Sequence, residues 1–287
     1  MSNAFSRSWE ITKLTFTVMK KDKKLFLFPL FGGIFSLLFL VAIFWPVVFL
    51  GSAINSLGGL GLYGVLFVIY LGLAFISIFF NVCTVYVIKQ RFEGKTARFG
   101  EAIGFAFSRI HLVFVWAIVS AIVGLILRIL EDAAENIGGL GEIIAKIFIG
   151  MLGTAWAILT MFVIPSMVYE NVGPFKAIKR SVQTINKTWG ESLVKYYGLG
   201  IMQFIFLLLT VIVTIVLAVL TAPIPALMWA IIILGVVFII AILMFFTVAN
   251  AVFNTAIYYY AEKGKVPVGY KEEVMAGAFA KKQKKQY

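Results

Sequence analysis

The stretch that decides the fold is Leu25–Ile88, which reads LFLFPLFGGIFSLLFLVAIFWPVVFLGSAINSLGGLGLYGVLFVIYLGLAFISIFFNVCTVYVI and contains no Asp, Glu, Lys, Arg or His. A second stretch without these residues extends over Tyr196–Ala261. Each is long enough for two membrane-spanning helices of about 20 residues with a turn between them. The chain is 62% hydrophobic and only 13% charged, whereas soluble domains carry about 25% charged residues. The sequence therefore predicts an integral membrane protein.

The predicted fold is all-α, a polytopic membrane helix bundle of six transmembrane helices. We place the spans at about residues 25–50, 60–88, 110–129, 143–169, 193–220 and 226–260. Residues 51–59 are expected to form a short uncharged turn, and Pro165 is expected to break the fourth span late. One membrane domain over residues 1–265 and a basic tail over residues 266–287 complete the predicted organisation.

The distribution of basic residues predicts the orientation of the bundle. Of the 25 lysines and arginines, 23 precede the first span, follow the sixth, or lie in the connections after the second and fourth spans. Only Arg128 and Lys146 lie on the other side. Because Lys and Arg are enriched in cytoplasmic loops, we expect both termini in the cytosol. With the acidic residues included, the predicted cytosolic face carries a net charge of +14 and the opposite face −2.

That charge distribution bears on the class of partner. Lipids of the cytosolic leaflet are anionic, and each nearby Lys or Arg gains about 1 kcal/mol from them. The positive face therefore favours anionic lipid, or a cytosolic or membrane protein, as its partner. A nucleic-acid partner is not needed to account for the net charge of +12.

Three basic segments have the period of amphipathic helices that lie on the cytosolic surface, at about residues 4–22, 97–109 and 174–189. The clearest is the segment 173–190, GPFKAIKRSVQTINKTWG, in which a helix places apolar residues on one face and basic residues on the other. Its apolar face comprises Phe175, Ile178, Val182, Ile185 and Trp189. The residues expected to contact lipid or a partner are Arg7, Lys176, Lys179, Arg180, Lys187 and Trp189.

An internal repeat is visible at an offset of 173 residues. Arg7-Ser8 matches Arg180-Ser181, and Phe80-Asn81 matches Phe253-Asn254. The middle of the chain has the same order of elements. We therefore expect three hairpin repeats, each an interfacial helix followed by two spans. Internal repeats are common in transporters, but duplication is also an ordinary way to build any helix bundle. These parallel units differ from the inverted repeats that most favour transport.

Polar residues inside the spans supply a second candidate site, formed by Asn81, Asn250 and Asn254. Asn250 and Asn254 are one helical turn apart, and Asn81 is the repeat counterpart of Asn254. One interpretation is a polar site for an uncharged or zwitterionic ligand. The other is hydrogen bonding between helices, which is worth about 0.6 kcal/mol per bond. No charged residue lies at mid-depth, so a proton-coupled carrier is not expected.

Enzymatic motifs are incomplete. Gly94-Lys-Thr96 resembles the end of a phosphate-binding loop, but Lys89 occupies the position of the first glycine. The single histidine, His111, and the single cysteine, Cys83, cannot assemble a metal site of the usual kind. We expect no enzymatic activity, no metal and no cofactor.

Two groups of residues are similar to the signatures of a known family. The first is Phe5-Ser-Arg-Ser-Trp9 followed by the segment 23–29, KKLFLFP; the second is Phe162-Val-Ile-Pro165 with Lys179-Arg-Ser181 and Thr188-Trp-Gly190. They resemble a family of prokaryotic polytopic membrane proteins of unknown function. The resemblance implies a multi-pass protein of a bacterial or archaeal cell membrane, and it implies no activity.

Two hypotheses for function follow. The first is a non-enzymatic membrane protein that engages anionic lipid or a protein partner through its basic cytosolic face. The alternative is a transporter or lipid translocator for an uncharged or zwitterionic substrate, which would use the three asparagines.

Overall fold

The computed structural model describes residues 16–188 apart from 18, 21 and 57, together with residues 198–268 and residue 270. Within these ranges the chain forms helices and turns and no β-strand. Six segments are long and apolar enough to cross a membrane. The all-α prediction and the number of candidate spans are therefore confirmed.

The helices are numbered here in chain order. A short 3-10 turn, Lys23–Phe26, leads into the first of them. The helices are α1 (Leu27–Phe49), α2 (Gly51–Ser56), α3 (Gly59–Phe92), α4 (Phe99–Ser108), α5 (Ile110–Glu135), α6 (Gly139–Thr160), α7 (Val163–Glu170), α8 (Pro174–Thr188), α9 (Gly198–Leu220) and α10 (Pro225–Lys263). The six candidate spans are α1 with its 3-10 turn, α3, α5, α6 together with α7, α9, and α10.

Several helices extend beyond the predicted spans. α3 continues to Phe92, α5 to Glu135 and α10 to Lys263. A helix satisfies its backbone hydrogen bonds internally, so it can continue past the apolar stretch while its charged side chains reach water. The predicted turn at residues 51–59 contains the short helix α2. Gly61 of α3 packs against this turn so closely that a methyl group there would overlap the carbonyl of Ile54.

The fourth span is two helices, because α6 and α7 are separated by a break at Met161 and Phe162. The sequence predicted a break at Pro165, but the helix is interrupted four residues earlier. Proline has no N–H to donate to the carbonyl four residues before it, and its ring crowds that carbonyl. The disruption therefore falls at Met161, and Pro165 lies in the first turn of α7.

The chain divides into two compact units, residues 28–185 and residues 1–27 with 186–287. In the first unit α3 is the central helix; it packs against α2, α4, α5 and α7, and α6 packs against α5. The core of this unit is formed by the second half of α3, including Val82, Cys83 and Ile88, and by Val113 and Ala117 of α5.

In the second unit α9 packs along α10. The close approach occurs at Gly235, where a methyl group would overlap the Thr214 side chain. Phe16 and Phe26 contact the ring of Phe245, with centroids 5.0 and 6.2 Å apart. The single domain over residues 1–265 and the three hairpin repeats stay predictions.

Candidate functional site

The predicted basic surface lies at one end of the 28–185 unit, where α3 ends, α5 begins and α7 meets α8. We call this the basic end. Its cationic residues are Lys89, Arg91, Lys95, Arg98, Arg109, Lys176, Lys179 and Arg180. The other end of the unit contains the start of α3, the end of α5 and the start of α6, and we call it the opposite end.

A buried hydrogen bond connects the break in the fourth span to α8. The N–H of Phe162 donates to the hydroxyl Oγ of Ser181 at 3.2 Å, and both residues are fully buried. The preceding N–H, that of Met161, donates to the carbonyl of Ile158 at 3.2 Å, which is the three-residue spacing of a tightened helix end. Ser181 thus supplies an acceptor where regular helical bonding is interrupted. Phe162 and Ser181 both belong to the quoted signatures, and this contact gives them a structural role.

Cationic side chains converge on the carboxyl end of α7. The ammonium Nζ of Lys89 donates to the carbonyl of Val168 at 3.3 Å and lies 5.0 Å from the centroid of the Tyr169 ring. Arg180 Nε pairs with the carboxylate of Glu170 at 3.0 Å. Cations are favoured at the carboxyl end of a helix because its last carbonyls have no intrahelical donors. These contacts tie α3 and α8 to α7.

Arg109 forms a stack at the junction of α4 and α5. Its guanidinium carbon is 3.8 Å from the centroid of the Phe105 ring, and the Phe105 ring also stacks on Tyr86 with the centroids 4.3 Å apart. Arg109 Nε also donates to Asn171 Oδ1 at 2.9 Å. Burial lowers the pKa of Arg109 from its usual value, and Tyr86 raises it. Arginine nevertheless stays positively charged at neutral pH.

Helix α8 has three distinct sides. The side packed against the protein consists mainly of small and hydroxyl residues: Ala177, Ser181 and Thr184 are fully buried, and Ile185 is buried beside them. Phe175 is 71% exposed, and Ile178 and Val182 beside it are half-buried. Ile185, at the carboxyl end of the predicted apolar face, is buried, so this face packs against the protein only in part. Small residues form most of the packed side because the helix lies close to the broken segment.

The third side of α8 carries the charge. Lys176 and Lys179 are exposed. Within the described ranges neither forms an ion pair, whereas Arg180 is paired with Glu170. Two of the predicted cations are thus available to an external anion, and the charge of Arg180 is offset by a carboxylate. Arg7, the Lys187 side chain and Trp189 fall outside what the structure describes.

The three asparagines are divided between the two units. Asn81 lies on α3, and Asn250 and Asn254 lie one turn apart on α10. All three are half-buried. In the part of the chain that the structure describes, no hydrogen bond involves any of these side-chain amides. Their assembly into one site stays a prediction.

A charged cluster at the opposite end was not anticipated from the sequence as a structural unit. Arg128 Nη2 pairs with Asp132 Oδ1 at 2.8 Å, and the Tyr63 hydroxyl donates to Asp132 Oδ2 at 3.2 Å. A second group joins Lys146 Nζ to Glu142 at 2.7 Å and to Glu135 at 3.2 Å. The i,i+4 spacing of Arg128 with Asp132 and of Glu142 with Lys146 is a signal the sequence does contain. The contact with Tyr63 depends on the packing of α3 against α5.

The charged groups at the two ends of the 28–185 unit can bind and position other charged groups. Over the described ranges, no three His, Cys, Asp or Glu side chains are grouped so that they could hold a metal ion. The cations of the basic end can donate hydrogen bonds to phosphate or carboxylate oxygens.

Comparison with known proteins identifies a family without a known activity. Residues 60–268 match the profile of a family described as a family of unknown function (DUF6159). No curated protein and no solved structure matches the chain.

Proposed function

The chain belongs to the DUF6159 family of unknown function, and we propose that it is a non-enzymatic protein of a prokaryotic cell membrane whose basic end binds anionic lipid on the cytosolic side. The proposed contact residues are Lys176 and Lys179 of α8, extended by Arg7, Arg180, Lys187 and Trp189. A cytosolic or membrane protein with an acidic surface is the other class of partner that this end could bind.

The observation that supports this proposal is the arrangement of α8. One side packs on the protein through Ser181, so the helix is held in place. The exposed ring of Phe175 and the half-buried Ile178 lie beside the exposed ammonium groups of Lys176 and Lys179. An interfacial helix needs these features together, since its apolar side enters the acyl chains while its cations meet the headgroups.

The proposed orientation is supported by the distribution of charge. Most lysines and arginines of the basic end lie in short segments between two candidate spans. Short segments rich in these residues are retained on the cytosolic side of membranes. The opposite end pairs its cations Arg128 and Lys146 with carboxylates. The attraction to an anionic leaflet is therefore expected to be stronger at the basic end.

The test compares lipid binding by the full chain and a double variant, Lys176→Gln with Lys179→Gln. Two lysines near an anionic surface contribute about 2 kcal/mol, which is about a 30-fold change in the dissociation constant. The purified protein is titrated with phosphatidylglycerol, and bound lipid is counted by native mass spectrometry. Lys146→Gln is the control, because Lys146 is already paired. Equal affinity of the double variant and the control would contradict the proposal.

A second candidate function is transport or lipid translocation of an uncharged or zwitterionic substrate that contacts Asn81 of α3 or Asn250 and Asn254 of α10. It is supported by the half-buried amides of Asn81, Asn250 and Asn254, which make no hydrogen bonds within the described residues. Reconstituted vesicles should then move a fluorescent zwitterionic lipid between leaflets, and Asn81→Leu and Asn254→Leu should slow it. Movement no faster than in protein-free vesicles would exclude this function.

A further inference from the structure

A crevice between α3 and α5 reaches from the opposite end toward the middle of the span. Its volume is about 350 Å³. The lining residues are Tyr70, Leu73, Ser120, Ala121, Gly124, Leu127, Arg128 and Glu131. From Arg128 to Ser120 the crevice follows α5 for about 12 Å, at the helical rise of about 1.5 Å per residue. That depth lies within one leaflet of a hydrocarbon core about 30 Å thick.

The lining changes character along its length. The deeper part is formed mainly by apolar groups and by Gly124, where a methyl group would come into contact with the Tyr70 ring. The hydroxyl of Ser120 donates to the Trp116 carbonyl at 2.9 Å, so it is satisfied within its own helix. The deeper part is therefore suited to a hydrocarbon chain.

The mouth carries one cation and one anion. Arg128 pairs closely with Asp132 at 2.8 Å and forms a longer ion pair with Glu131 at 3.7 Å, which is beyond hydrogen-bonding range. The Arg128 and Glu131 side chains are 42% and 46% exposed. Arg128 has five N–H donors, so it can bind a further anion while it holds Asp132. The Glu131 carboxylate can accept a hydrogen bond from a cation.

Two other crevices within the described ranges lack this feature. One is formed by α1, α2 and α3, and the other by α9 and α10, and neither is lined by a charged residue. Both are suited to apolar contact alone. Of these three crevices, the one between α3 and α5 is the one that has a cation and an anion at its mouth and a mainly apolar lining deeper in.

We propose that this crevice binds a zwitterionic phospholipid with a primary ammonium headgroup, of the phosphatidylethanolamine class. The headgroup phosphate meets Arg128, its ammonium donates to Glu131, and part of one acyl chain lies along Leu73, Gly124 and Leu127. The volume of the crevice, about 350 Å³, is near the lower end of the range of about 300–1,000 Å³ that ligand-binding pockets have. It accommodates part of a lipid, and the remainder lies in the surrounding bilayer. The site is separate from the proposed contact of α8 with anionic lipid.

The test uses the purified full chain in mild detergent, titrated separately with phosphatidylethanolamine, phosphatidylglycerol and phosphatidylcholine of the same chain length. Native mass spectrometry gives the dissociation constant of the first lipid bound. To keep the basic end from contributing, the titrations use the Lys176→Gln and Lys179→Gln background. Phosphatidylethanolamine should bind tightest, because phosphatidylglycerol lacks the ammonium and the choline ammonium has no N–H to donate.

Replacing Glu131 removes the partner of the ammonium only. Glu131→Gln should weaken binding of phosphatidylethanolamine about two- to five-fold, the size of one exposed ion pair, and remove its preference over phosphatidylglycerol. Arg128→Gln should weaken both lipids. Glu142→Gln is the matched control, because Glu142 is at the same end but does not line the crevice.

Two results would show that the crevice does not select phosphatidylethanolamine. Equal binding of the three lipids, or an unchanged preference in Glu131→Gln, would overturn the proposal. Glycerophosphoethanolamine, which has the headgroup without acyl chains, should not displace the bound lipid at equal concentration. Displacement by it would show that the apolar lining contributes nothing and would also overturn the proposal. Failure of these tests leaves the proposed role of α8 intact.

Discussion

Replacing Ser181 with alanine should destabilise the 28–185 unit, although the change removes a single oxygen atom. In the structure, this oxygen accepts the N–H of Phe162 at 3.2 Å across the break between α6 and α7. Both residues are fully buried, so water cannot easily replace the lost acceptor. A buried donor deprived of its acceptor costs about 1–3 kcal/mol.

Ser166→Ala is a matched control, because Ser166 is equally buried and also bonds to Phe162. Its hydroxyl donates to the Phe162 carbonyl at 2.8 Å, but the Ser166 N–H already donates to the same carbonyl at 2.9 Å. Removing this hydroxyl leaves the carbonyl with a partner. Backbonding of this kind adds little to helix stability, so the expected change is within about 0.5 kcal/mol.

The chain contains its own reporter of unfolding. Cys83 is the only cysteine and is fully buried in α3. A dye that fluoresces on reaction with a thiol will therefore report when the 28–185 unit opens during heating. At about 2–4 °C per kcal/mol, a cost of about 1–3 kcal/mol should lower the midpoint of Ser181→Ala by about 2–12 °C. Equal midpoints for Ser181→Ala and Ser166→Ala would refute the role assigned to this hydrogen bond.

Two further substitutions test the packing by the same dye assay. A methyl group on Gly72 of α3 would overlap the Phe39 ring, so Gly72→Ala should lower the free energy of unfolding by about 1–3 kcal/mol. Gly64→Ala is the control, because its methyl group meets nothing within 4 Å and should be neutral or stabilising. Equal unfolding midpoints for these two variants would contradict the predicted overlap. Arg109→Lys should lose the planar contact with Phe105 and cost about 1 kcal/mol. An unchanged midpoint would mean that the stack does not stabilise the unit.

The coarse architecture could be predicted from the sequence because the bilayer imposes it. An apolar stretch such as Leu25–Ile88 must satisfy its backbone hydrogen bonds within helices, and its length sets the number of spans. The helix ends were less predictable, since α5 continues to Glu135 after the apolar residues stop. Charge marks the limit of the hydrocarbon core, and it does not mark the end of a helix.

The details of the candidate site depended on contacts between segments distant in the sequence. The apolar period of α8 predicts a face on which Ile185 is indeed buried, but Phe175 is exposed and the rest of the packed side is formed by Ala177 and Ser181. A face of small residues gives little hydrophobic signal, and its burial follows from the neighbouring helix break. The crevice that Ser120 helps to line likewise arises because α3 packs against α5. The hydropathy of the sequence does not predict which helices pack together.

The proposed binding of α8 to the cytosolic leaflet is tested most directly by determining on which side of the membrane α8 lies. In a Cys83→Ala background, a single cysteine is introduced at Lys179 of α8 or at Asn136, which is exposed beyond the end of α5. A membrane-impermeant thiol reagent is then applied to intact cells and to inside-out vesicles. We expect Asn136→Cys to react in intact cells and Lys179→Cys to react only in inside-out vesicles. The opposite pattern, or reaction of both on the same side, would contradict the proposed orientation and the binding of α8 to the cytosolic leaflet.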